Sequence, residues 1–119
     1  MRDILSSWTA TPDAIPPEAV DRYVGAFTPE AISGICADYR ASFHIDRQMD
    51  AEDREAGRKI ACPVLVHWGA EEDAMSDGPL EVWRRWVDDV RGSPVPSGHF
   101  IPEEAPEELT ASLREFLGR

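Results

Sequence analysis

The run Pro63-Val64-Leu65-Val66-His67-Trp68-Gly69 constrains the fold more than any other stretch of this chain. It is short, nearly continuous in apolar residues and closed by glycine, the pattern of a strand buried on both faces of a parallel sheet. A parallel neighbour requires a crossover, and the chain supplies one. A polar loop from Ala70 to Gly78 leads into a helix whose face is Leu80, Trp83, Val87 and Val90, widened by Trp86. A second strand near Pro94-Val95-Pro96 then runs into Ser97-Gly98-His99-Phe100. Residues 103–117 read as a last helix, with Leu109, Leu113, Phe116 and Leu117 on one side.

The residues before this β-α-β-α half read as helical. Pro17 suits the first position of a helix, and Val20, Tyr23, Val24 and Phe27 follow at helical spacing. Two adjacent prolines make the segment ahead of it, residues 9–17, an extended loop. Thr28-Pro29-Glu30 caps and starts a second helix with the apolar face Ile32, Ile35, Cys36, Tyr39 and Phe43. Residues 46–59 are dense in charge and read as a solvated helix or linker capped by Asp50. The expected units are therefore residues 1–59, helical, and residues 60–119, β-α-β-α. Two parallel strands leave two bare edges, so the pattern is part of a larger fold, and poor autonomous folding is expected.

Composition narrows the function classes. The 119 residues carry 23 acids against 12 bases, a formal charge of −11, which disfavours nucleic acid and anionic membranes as partners. No apolar run approaches the ~20 residues of a membrane span. The start, Met1 to Trp8, has no signal-peptide pattern, so the cytoplasm is the expected compartment. Cys36 and Cys62 lack metal-ligand spacing and are expected as free, buried thiols. His67 reads as a hydrogen-bonded core histidine, and Trp83 and Trp86 as core. The pair Glu103-Glu104 suits the N-terminus of the last helix.

The site candidate is His99. A histidine on a Gly-containing turn at the carboxyl end of a strand has the placement of a general base in an α/β enzyme. It also suits a histidine that only caps the next helix, and the residues alone leave both open.

Three stretches resemble the fluoroacetate (haloacetate) dehalogenase family of α/β-hydrolases. They are Cys36-Ala37-Asp38-Tyr39-Arg40-Ala41, Pro79-Leu80-Glu81-Val82-Trp83-Arg84-Arg85-Trp86 and Ser97-Gly98-His99-Phe100-Ile101-Pro102-Glu103-Glu104-Ala105-Pro106. The resemblance implies an α/β fold: the last two strands and helices of a hydrolase core, residues 60–119, preceded by the second half of a helical cap, residues 1–59. It implies an aspartate nucleophile that displaces halide from a halogenated short-chain carboxylate. The resulting ester is hydrolysed by water that His99 activates. Tyr39 corresponds to a halide-holding phenol, although its place on an apolar face equally suits a core residue. No metal or organic cofactor is implied, and a homodimeric parent is one arrangement the family allows. Asp73 occupies a loop where many α/β-hydrolases carry the acid that orients the histidine, whereas haloacetate dehalogenases place it earlier. The nucleophile elbow and its arginines do not occur in this sequence, which implies a fragment with Met1 near the middle of the cap. An epoxide hydrolase or haloalkane dehalogenase, or a non-catalytic remnant or interaction module, is the alternative.

Overall fold

In the computed structural model, which describes residues 1–71 and 78–118, β1 (Val64–Gly69) and β2 (Val90–Val95) pair in parallel. Val64 lies opposite Val90 and Gly69 opposite Val95. The bridge Ile60↔Val87 extends the pairing backward, and the Val64 N–H reaches the Asp89 carbonyl at 2.9 Å. A side chain at Gly92 would run into the Val66 carbonyl, so the close pairing depends on glycine there. The second strand is longer than Pro94-Val95-Pro96. Arg91, Gly92 and Ser93 hid it, because its outer positions are exposed and need no apolar residue. Pro94 inside it fits a sheet edge.

Upstream, α1 (Arg2–Trp8) is followed by the extended loop, then α2 (Pro17–Ala26) and α3 (Pro29–Ala41). Pro17 opens α2, and the Thr28 hydroxyl accepts the Ala31 N–H at 3.2 Å, as the sequence predicts. The chain does not restart at Asp50. A π-helical turn (Ser42–Asp46) carries α3 directly into α4 (Arg47–Glu55), because no proline or glycine interrupts residues 35–56. Gly57, at φ 66°, ends it in a left-handed cap, with the Arg58 N–H on the Asp53 carbonyl at 2.8 Å. After β1 come α5 (Pro79–Trp83), then β2, α6 (Ile101–Glu104) and α7 (Pro106–Phe116). The last helix is thus broken at Ala105, whose φ of −141° precedes Pro106.

The buried apolar set among the described residues is small: Leu5, Val87, Val95 and Ala105. Helix α7 covers the sheet near His67, whose Nδ1 lies 2.9 Å from the Ser93 carbonyl and Nε2 2.7 Å from Ser112 Oγ. His67 is hydrogen-bonded as the sequence predicts, but it is half-buried rather than part of the core. Burial expected elsewhere is not found. Cys36 and Cys62 are free but exposed, Trp83 is exposed, and Ile32, Ile35, Tyr39 and Phe43 form an open apolar face. The helical spacing of Ile32, Ile35, Tyr39 and Phe43 implies a face that packs on something, and nothing among the described residues covers it. The radius of gyration, 16.9 Å, also exceeds the about 13–14 Å of a compact domain of this length. No helix among the described residues is long and apolar enough to cross a membrane.

Candidate active site

His99 stands on the turn that leaves the carboxyl end of β2. The turn is tied to the end of β1: the Ala70 N–H donates to the Val95 carbonyl at 2.8 Å, and the Glu71 N–H to Ser97 at 3.2 Å. Ser97 is buried, and its own N–H closes back on the Val95 carbonyl at 2.7 Å. On the other side lies the strap that follows α1. The His99 N–H donates to the Trp8 carbonyl at 2.9 Å. The Trp8 indole meets the imidazole edge-on, with centroids 4.8 Å apart and planes at 65°. Phe100 adds a second edge contact at 5.3 Å. The imidazole remains exposed and lines a cavity of about 570 Å³ with Ser7, Trp8, Thr9, Ala10, Glu71 and Gly98.

Glu104 closes this arrangement. Its Oε2 accepts the N–H groups of Ala10 (2.8 Å), Thr11 (2.9 Å) and Gly98 (3.0 Å), and its Oε1 that of Phe100 (3.1 Å). Burial pushes the carboxyl pKa upward, but the backbone donors together outweigh it and hold it below the ordinary glutamate value. Glu103 accepts a hydrogen bond from the Tyr23 hydroxyl of α2, which raises the Tyr23 pKa. The pair Glu103-Glu104 therefore joins distant segments to the histidine turn, where the sequence suggested helix-end electrostatics. Gly98 is required by the same closeness: a Cβ there would lie 2.5 Å from the Trp8 carbonyl oxygen and 2.7 Å from the Ala10 nitrogen.

Among the described residues, the catalytic candidate His99 lines this cavity, with Gly98 of its turn. Tyr39 lies on α3 with its side chain 74% exposed and is not part of the cavity wall. Asp73 falls outside the described residues. No cluster of His, Cys, Asp and Glu suited to a metal ion occurs among the described residues. Sequence reasoning missed Trp8 and Glu104. Trp8 had no local signal, since its contact spans some ninety residues. Glu104 had one, a carboxylate five positions after a histidine on a glycine turn.

A parallel strand pair with a histidine turn at its carboxyl end matches the C-terminal part of an α/β-hydrolase fold. The comparisons agree. An α/β hydrolase, provisionally so described, from Nostoc sp PCC 7120 superposes with a TM-score of 0.83 at 38% identity, over 98% of this chain and 40% of that one. The fold is that of the C-terminal part of an α/β-hydrolase, and the sequence is also similar to a fluoroacetate dehalogenase of Burkholderia sp. That protein is 36% identical over 116 residues, 95% of this chain and 38% of its own length. Epoxide hydrolase A of Mycobacterium tuberculosis is 30% identical over 123 residues, 97% of this chain and 35% of that protein. This chain thus spans less than two fifths of either curated relative. No protein-family profile matches it.

Proposed function

We propose that this chain carries the water-activating end of a haloacetate dehalogenase-type hydrolase. The observation that carries the reading is His99: a turn imidazole held beside a cavity by backbone bonds from two directions. In this chemistry a carboxylate nucleophile attacks the carbon bearing the halogen, forming an ester as halide leaves. Water then attacks the ester carbonyl while His99 takes its proton, and collapse regenerates the carboxylate and releases a hydroxy acid. Tyr39 is the proposed hydrogen-bond donor to the departing halide, on the strength of the Asp38-Tyr39-Arg40 motif.

The nucleophile belongs to another part of the polypeptide. The two-stranded sheet, the open α3 face and the partial span of the relatives support reading residues 1–59 as cap and residues 60–119 as core of a longer protein. We read its setting as cytoplasmic and its substrate as a halogenated short-chain carboxylate, handled without a metal or organic cofactor. The likeness to epoxide hydrolase A favours a second reading, in which the same carboxylate and histidine open an epoxide.

The test is to pair this chain with the nucleophile-bearing N-terminal part of the Burkholderia fluoroacetate dehalogenase and follow fluoride release from fluoroacetate. Turnover that requires His99 supports the reading. Turnover of epoxides with no fluoride release moves it to the second.

A further inference from the structure

We propose that Glu104 is the positioning residue of His99, a single carboxylate that locks the histidine turn onto the α1 strap. The proposal rests on the reading of His99 as the base. Its acceptor atoms bracket the histidine in sequence, taking the N–H groups of Gly98 and Phe100. The same carboxylate takes the N–H groups of Ala10 and Thr11, two and three residues beyond Trp8. Trp8 in turn accepts the His99 N–H and packs its indole on the imidazole. One group thereby fixes both the backbone under His99 and the ring against its side.

A general base works only within hydrogen-bond reach of the proton it takes, so a turn free to shift by an ångström would lose that geometry. Few side chains can replace this one. Glutamine offers a single oxygen and would set its NH2 against one of the four N–H donors; aspartate is one methylene too short. Gly98 permits the approach, since any side chain there meets Trp8, Ala10 and Glu104 Oε1. Among the described residues, the other titratable groups around the clamp are His99 itself, Glu103 with its partner Tyr23, Glu71 beside Ser97, and Arg2 and Asp13, which line a cavity with Ala10 and Thr11.

The test is amide and imidazole NMR on this chain paired with the nucleophile-bearing part described above, the form in which it is expected to fold. The amides of Ala10, Thr11, Gly98 and Phe100 are expected downfield and titrating together, with one midpoint below that of ordinary glutamates. At that midpoint, apart from the imidazole's own protonation, the His99 ring protons should lose the shift that the Trp8 and Phe100 rings impose. Glu104→Gln should cause the same loss at neutral pH while cross-strand β1–β2 contacts persist. Should that variant lose those contacts as well, the wild-type titration decides. Separate midpoints, or no displaced amides, overturn the proposal. So do His99 ring shifts that stay put while the four amides respond, which would make Glu104 structural only. None of these readings involves turnover. An enzyme still active as His99→Asn would defeat the base assignment and leave the clamp standing.

Discussion

Replacing Gly98 by alanine should undo the histidine turn, and the structure sets the size of the effect. The new Cβ would sit 2.5 Å from the Trp8 carbonyl oxygen and 2.7 Å from the Ala10 nitrogen, both backbone atoms that no rotamer change can move. Relieving contacts that tight costs about 1–3 kcal/mol. The separation also stretches the His99–Trp8 hydrogen bond and the Glu104 bonds to the strap, at about 1 kcal/mol for each bond lost. With three bonds lost, the sum is about 4–6 kcal/mol, a large share of the total stability of an ordinary domain. Gly25 and Gly34 are the controls. They lie inside α2 and α3, where an added methyl would meet nothing within 4 Å, so alanine there should gain about 0.5–1 kcal/mol from helix propensity. Urea unfolding of the paired protein, followed by tryptophan fluorescence, gives the comparison. The Gly98 variant should lose its native baseline while both controls move the midpoint upward. A Gly98→Ala midpoint equal to that of the unsubstituted chain would refute the close docking of strap and turn.

Other outcomes follow from the same geometry. Because the folded Glu104 pKa lies below its unfolded value near 4.5, its contribution is fully present above that pH and is lost as pH falls through the folded value. Limited proteolysis of the strap at residues 9–17 should therefore accelerate below about pH 4.5, and this step should vanish in Glu104→Gln. The isolated chain should release no fluoride from fluoroacetate and should melt without a sharp transition. Measurable turnover abolished by His99→Ala would overturn the fragment reading. In the completed enzyme, Tyr39→Phe should lower kcat for fluoroacetate by about 10²–10³-fold, as for loss of one donor to a developing anion. An unchanged kcat returns Tyr39 to a structural role.

The elements marked by prolines and by an unbroken apolar run were legible in the sequence: α2 behind Pro17, α3 behind Thr28 and Pro29, and β1. What could not be read depends on contacts between distant residues. Strand β2 holds glycine, serine and proline at positions 92–94, so the apolar alternation that an open outer face would give is not legible in it. Charge density suggested a boundary near Asp50, yet charge alone does not stop a helix, and α3 continues through the π turn. Spacing showed that Ile32, Ile35, Tyr39 and Phe43 share a face, but whether anything covers that face is not encoded in spacing. His99 was visible through its glycine turn. Its surroundings were not, since Trp8, Ala10 and Thr11 reach it from the far end of the chain.

The measurement that bears most directly on His99 as the water-activating base is the mass of the nucleophile-bearing part after mixing with fluoroacetate, in the paired protein carrying His99→Asn. With the base removed, the first displacement should still proceed and the ester should accumulate. The expected result is a stable mass increase of one carboxymethyl group, with one fluoride released per site and no further turnover. Sustained fluoride release with no accumulated ester would contradict the assignment of His99 as that base.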